Sequence, residues 1–250
     1  GYGWSLDIKR GSAQHNRPIG DGNAIFTGHD DFELPCQRSY EQKSHFTLIR
    51  LSEREYYIFR PFIANTQTVA GSCEGQAFFD FVDGTTAGAT LDILGGAVEY
   101  TVRSTALPIV NNPEVLPPSE LSYALDPERG QFDPKRLRLT LADGRVYDLH
   151  VDAGIERIED RNGNSVVFQG NGIYHHSGKG ITFERDLQGR IKRLIDPSGQ
   201  TVDYAYDLNG DLVRVTNQLS EDTRFTYERQ ASLAHHLDKV LGPAGNELAK

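Results

Sequence analysis

The chain has 250 residues, enough for one large or two modest domains, and at that size roughly 70–75% of the unfolded surface can be buried without help from disulfides or metals. Its formal net charge of −9, with no compensating basic stripe, excludes the footprint a nucleic-acid binder needs to displace counterions from phosphates. The 25 glycines, 11 tyrosines and 12 phenylalanines, with no methionine, favour aromatic strands between glycine-centred turns over helices.

In chain order, the opening Gly1-Tyr2-Gly3-Trp4 has neither an initiator Met nor a signal-peptide core, and reads as the start of an excised piece. Cys36 and Cys73 are too few for a disulfide framework and lack metal-ligand spacing; they could pair in an oxidising compartment or remain two buried thiols. Residues 46–51 and 55–60 predict short strands joined by a polar hairpin turn at Ser52-Glu53-Arg54. Residues 78–82 predict another strand with a turn at Asp83-Gly84, and Gly95-Gly96 a further turn. Pro108, Pro113, Pro117 and Pro118 each remove a backbone donor, so 108–122 reads as a linker or crossing loop. It separates a β-rich region over 1–107 from a repeat region over 123–250, where Arg136 and Arg138 alternate with Leu137 and Leu139 as in a half-exposed strand. No apolar run approaches the roughly 20 residues of a membrane span.

Four segments of the repeat region stack without gaps: 155–164, 191–200, 212–221 and 237–246. Their first position is aliphatic (Ile155, Ile191, Leu212, Leu237), as is the fourth (Ile158, Leu194, Val215, Val240), while the third is basic (Arg157, Arg193, Arg214, Lys239). The sixth is Asp160, Asp196, Asn217 or Gly242 and the ninth Gly163, Gly199, Ser220 or Gly245, residue types that bend a chain cheaply. Each segment therefore reads as a strand running into a turn. Returning strands follow at 165–168, 201–206 and 223–227, and a period of two puts Val202, Tyr204 and Tyr206 on one face, with Tyr227 ending the last. A second set of turns begins at Asp186 and Asp207, with Gly189 and Gly210 in equivalent places 21 residues apart. The expected fold is all-β: antiparallel hairpin repeats forming a curved sheet or solenoid-like shell, preceded by an irregular β-rich region.

The candidate chemistry is sparse. His175-His176 and His235-His236 suggest a metal site, but neighbours on a strand point to opposite faces and make a poor chelating pair. Carboxylates are numerous, yet Asp160, Asp186, Asp196 and Asp207 each open a turn, which accounts for them better than a glycosidase pair does. His29-Asp30-Asp31 makes no ligand loop, and no nucleophile elbow, phosphate loop or zincin helix is present. Tyr56, Tyr57, Tyr204 and Tyr206 suggest stacking platforms for sugars, or else cross-strand neighbours that hold register. No catalytic residue, metal ligand or cofactor is expected.

Tyr206-Asp207-Leu208-Asn209-Gly210-Asp211-Leu212 resembles the YD repeat of the RHS family, supported by the run from Phe183 to Ile191 and by the turns Asp160-Arg161-Asn162-Gly163-Asn164 and Asp196-Pro197-Ser198-Gly199-Gln200. The third unit departs from the pattern at Ser220, and the last lacks the Tyr-Asp pair, having Glu228-Arg229 after Tyr227. Upstream, Gly1-Tyr2-Gly3-Trp4-Ser5-Leu6 resembles the opening segment of such proteins, and the run from Leu139 to Tyr147 the segment before their repeats. The resemblance implies a structural, non-enzymatic segment of a secreted or cell-surface shell. Such a shell packs repeat against repeat and encloses a C-terminal toxin or effector domain of the parent chain. An extracellular carbohydrate-binding or adhesion module is the alternative, with a glycoside-acting enzyme behind both. No residue matches the family's self-cleaving aspartate segment.

Overall fold

The computed structural model describes residues 11–19, 23–26, 38–41, 44–69, 72–94, 102–104, 124–126, 130–131, 133–228 and 235–249. The opening segment, His29-Asp30-Asp31, Cys36 (and with it any pairing to Cys73), Gly95-Gly96 and the proline-rich stretch at 108–122 lie outside them. Among the described residues there are twenty-two strands and no helix, and every strand pairing is antiparallel. The chain divides into two units, one over Lys9–Gly163 and one that includes Asn164–Lys250.

The first unit holds β1 (Ser12–His15), β2 (Asn23–Phe26), β3 (Arg38–Glu41), β4 (Thr47–Arg50), β5 (Tyr56–Val69), β6 (Ser72–Gly84), β7 (Thr90–Ile93), β8 (Val102–Ser104), β9 (Ala124–Asp126), β10 (Gly130–Gln131), β11 (Arg136–Thr140), β12 (Val146–His150) and β13 (Gly154–Glu159). β1, β4, β5, β6, β8, β9 and β10 pair in that order, β2 pairs with β3, and β7, β11, β12 and β13 form a further run. The predicted hairpin at Ser52-Glu53-Arg54 joins β4 to β5, with Arg50 opposite Tyr56. Alternation decides burial: Thr47, Ile49, Tyr57, Phe59, Leu137, Leu139 and Leu149 are sealed from solvent, with Leu91 and Ile93 nearly so, while their strand neighbours are wholly or partly exposed, except for the buried Asp148 beside Leu149. Asp83-Gly84 is not a turn. Gly84 ends β6 opposite Tyr57, and a Cβ on it would lie 2.7 Å from the Tyr57 ring; the glycine is there to let an aromatic approach the backbone.

The second unit is a single meander of β14 (Ser165–Gln169), β15 (Gly172–His175), β16 (Gly180–Arg185), β17 (Ile191–Ile195), β18 (Thr201–Tyr206), β19 (Leu212–Thr216), β20 (Asp222–Tyr227), β21 (Leu237–Leu241) and β22 (Glu247–Ala249), each beside its sequence neighbours. Most of its strand residues are half-buried; Ser165, Gly172, Phe183 and Leu212 are the strand residues buried outright among those described. Its cohesion therefore rests on ladder hydrogen bonds and cross-strand pairs more than on a packed core.

Candidate functional site

The register explains the repeat position by position. Residue four of each stacked segment faces an aromatic of the preceding strand: Ile158 faces Tyr147, Leu194 faces Phe183, Val215 faces Tyr204 and Val240 faces Phe225. Residue one faces Leu149, Arg185, Tyr206 or Tyr227, in the cases of Ile155, Ile191, Leu212 and Leu237. Between them the partner strand has one residue fewer, so residue two is a bulge in every copy: Glu156, Lys192, Val213 and Asp238. The basic third residue follows the bulge and meets an acid: Arg157 meets Glu159, Arg193 meets Asp203 at 2.6 Å, Arg214 meets Asp222 at 3.8 Å and Lys239 meets Glu247 at 3.3 Å.

One five-residue turn recurs throughout. Its first residue accepts from the N–H of the fourth, as in Gly189 to Asp186 at 3.0 Å and Gly210 to Asp207 at 3.1 Å. The fourth takes the left-handed conformation: Gly163, Gly189, Gly199, Gly210 and Gly245 have φ of 84°, 79°, 87°, 91° and 77°. This is a type I turn closed by a one-residue bulge. Oδ1 of Asp160, Asp186, Asp196, Asp207 and Asn217 accepts the N–H two residues on, and Oδ1 of Asp186, Asp196, Asp207 and Asn217 also accepts the N–H four residues on. Two further turns were not legible from the sequence. Leu141 to Arg145 has the same backbone pattern but is capped from its third residue, Asp143, whose Oδ1 accepts the Arg145 N–H at 3.1 Å, and at His175 to Lys179 the ring Nδ1 of His175 stands in for the carboxylate, accepting from the Ser177 N–H at 3.3 Å. His175 is thus a turn residue, and its ring packs 4.2 Å from that of His176.

Ser220, with φ of 62°, holds the glycine position of its turn against the usual steric preference. Replacing it with glycine is expected to raise unfolding stability by about 1 kcal/mol, read as a higher urea midpoint with an unchanged slope.

Successive repeats interlock through a donor that reaches fifteen residues back. The Tyr206 hydroxyl donates to the Ile191 carbonyl at 2.9 Å and the Tyr227 hydroxyl to the Leu212 carbonyl at 2.8 Å. Arg185 holds the same place one repeat earlier; its Nη2 donates to the Gly170 carbonyl at 2.8 Å and its Nη1 to that of Gly189 at 2.8 Å. Burial pushes the Tyr206 hydroxyl above its ordinary pKa, so it stays a donor at neutral pH.

Two of the turn carboxylates, Asp186 and Asp196, are held below the usual range. For Asp196 the Ser198 hydroxyl is the main cause, aided by backbone N–H groups; for Asp186 partial burial opposes ionisation but bonds from the Arg190 side chain and backbone outweigh it. A carboxylate whose folded pKa is depressed contributes stability that is whole above the unfolded value near 3.8 and is lost as pH falls through the folded one. Asn217 performs the same turn without a charge. Asp196→Asn is therefore expected to leave the urea midpoint at pH 7 nearly unchanged and to reduce its fall between pH 5 and 3.

One cleft opens beside these elements, about 510 Å³ in volume and lined by Asp207, Asn209, Asp211, Val213, Phe225, Thr226, Tyr227, Glu228 and His235. Asp211 is buried and bonded through Oδ1 to His235 Nδ1 at 2.8 Å. No group of three or more His, Cys, Asp or Glu among the described residues is arranged to hold a metal. No helix among them is long and apolar enough to cross a membrane.

Residues 185–217, from the interlocking Arg185 to Asn217 at the head of its turn, match the family described as RHS Repeat. No curated protein matches the chain.

Proposed function

We propose that this chain, which carries an RHS repeat, is a non-catalytic structural segment of a β-sheet shell that scaffolds or encloses a C-terminal toxin or effector domain of the same polypeptide. The observation that carries the reading is the interlock: three donors at one 21-residue period, Arg185, Tyr206 and Tyr227, each tied to a carbonyl fifteen residues upstream. Every repeat thus brings its own turn caps, its bulge and its tie to the previous repeat, so a wall of any length follows from adding units. Adjacent repeats and the enclosed domain are the proposed partners, and the proposed location is secreted or cell-surface.

The test is to express the chain together with the polypeptide that follows it and to treat the product with trypsin. A following segment that survives digestion as long as the repeats do supports enclosure. One removed within the time needed to cleave a free linker overturns it. Carbohydrate binding draws less support, because Phe183 is buried, Tyr206 and Tyr227 spend their hydroxyls on backbone carbonyls, and Arg190 lies over the Tyr206 ring at 4.3 Å. Binding above background on a glycan array would restore it.

A further inference from the structure

His15 is a titratable side chain that none of the turns and ties above uses, and it stands where two sheets of the first unit meet. It ends β1, opposite Thr47 on β4. Its Nδ1 lies 2.8 Å from the Thr47 hydroxyl, and its Nε2 lies 3.1 Å from the Pro134 carbonyl. Pro134 belongs to the lead-in to β11, where the Lys135 carbonyl accepts the Val151 N–H at 2.8 Å and so prolongs the β11–β12 ladder. One imidazole therefore joins β1 and β4, in one sheet, to the start of β11, in another.

The partners dictate where the ring carries its proton. A carbonyl can only accept, so Nε2 holds the hydrogen, and in the neutral ring Nδ1 is then the acceptor and the Thr47 hydroxyl the donor. Thr47 is sealed from solvent, and its hydroxyl has no second partner among the described residues. A second proton, on Nδ1, would leave that hydroxyl hydrogen without an acceptor and place a cation in a half-buried position.

The lead-in brings Asp133 and Lys135 near the ring, joined to each other at 2.6 Å, and the approach to β4 brings the buried His45. Arg50, the charge on β4 itself, lies opposite Ser12 at the far end of β1. β12 and β13 also pack against β1, and their charges have partners of their own: Asp148 with Arg138, Glu156 with Arg136 and Arg157 with Glu159, while Nδ1 of His150 accepts the Asp152 N–H at 3.1 Å. Withdrawal from water holds His15 below its ordinary pKa; the Pro134 carbonyl and the Asp133 carboxylate oppose this, and Lys135 and His45 reinforce it.

We infer that His15 is an acid-sensitive clasp: neutral, it fastens β1 and β4 to the lead-in of β11, and protonation releases that junction while the rest of the unit stays folded. β1 and β4 keep each other through their ladder and through Asn16, whose side chain donates to the Ser44 carbonyl and accepts the Phe46 N–H, both at 2.9 Å. Beside the β4–β5 turn a second tie, from Arg145 to Glu55 at 3.2 Å, uses no histidine. A histidine with a depressed folded pKa contributes stability that is whole above the unfolded value near 6.5 and is lost as pH falls through the folded one.

The test follows amide hydrogen exchange of the full chain at pH 7.5 and 5.5, corrected for the intrinsic pH dependence of exchange, and titrates the His15 ring by NMR. The Val151 amide should lose at least about threefold of its protection at the lower pH, while the Leu141 amide, bonded to the Arg145 carbonyl at 2.9 Å near the second tie, keeps its own. His15→Gln retains a donor for Pro134 and has no charge to gain, so its Val151 protection should be equal at the two pH values. The wild-type ring should titrate below 6.5, a reading that does not depend on the variant folding. A ring titrating at 6.5 or above, Val151 protection unchanged by pH in the wild type, equal losses at Val151 and Leu141, or the same loss in His15→Gln would each overturn the clasp.

Discussion

Leu139→Ala is expected to lower the unfolding free energy of the first unit by about 3 kcal/mol, with a range of roughly 2–5. Leu139 is fully buried in the middle of β11, facing Leu91 on β7 and Tyr147 on β12. Truncation removes three buried carbons, and the flanking strands cannot close on the space because their registers are fixed on both sides. Against a typical domain stability of about 5–15 kcal/mol, that is a large share of the total. The check is urea denaturation followed by tyrosine and tryptophan fluorescence: the midpoint should fall with little change of slope. Arg136→Ala, on the exposed alternation of the same strand, is the control and should cost no more than about 0.5 kcal/mol, as for a surface ion pair such as that of Arg136 with Glu156.

Gly180→Ala is expected to cost the second unit about 2–3 kcal/mol, although it adds a single methyl group. A Cβ on Gly180 would lie 2.5 Å from the Tyr174 ring and 2.7 Å from the Ile173 carbonyl, and one on Gly172 would lie 2.5 Å from the Ile181 carbonyl and 2.6 Å from the Tyr174 hydroxyl. Tyr174 stands opposite Gly180 between β15 and β16, and its side chain lies over both glycines, covering backbone that no side chain of their own covers. Relief requires moving backbone, not rotating the far end of a flexible side chain. Gly170→Ala is the matched control: a Cβ there meets nothing within 4 Å, so it should be neutral or stabilise slightly by reducing unfolded-chain entropy. Equal losses at the two positions would remove close approach as the cause.

Much of the second unit was legible because its turns obey local chemistry. Asp and Asn cap their own turn through a single oxygen, and glycine accepts a left-handed backbone, so Asp186, Gly189, Asp207 and Gly210 announce hairpins before any tertiary contact is known. The bulge was hidden by its regularity. An extra residue present in all four stacked segments leaves no gap between them, and only the partner strand reveals that Glu156, Lys192, Val213 and Asp238 face nothing across the ladder. Arg185 was hidden by its chemistry, since a guanidinium and a phenol share no sequence signature but can both place a donor on a carbonyl fifteen residues back. His175 was hidden in the same way, an imidazole nitrogen doing the work of a carboxylate oxygen. Gly84 misled because glycine serves turns and close approaches alike, and only the position of the Tyr57 ring tells the two apart.

The cleft was illegible for a further reason. His235 and Asp211 are 24 residues apart, and the closing segment that joins Glu228 to His236 departs from the 21-residue period, so no stacking of the sequence aligns them. What the sequence did carry was the charge reversal from Arg190 to Asp211.

The fifteen-residue ties all point the same way along the chain: the acceptor is always upstream of the donor. During synthesis at about 5–20 residues per second, one 21-residue period leaves the ribosome in roughly one to four seconds, whereas a hairpin closes in about 1–10 μs. Each newly emerged strand therefore finds its acceptor already folded and waits for nothing that has yet to be made. The sheet zips in the direction of translation, and the growing protein exposes one raw strand edge at a time instead of a whole unpaired ladder open to its neighbours.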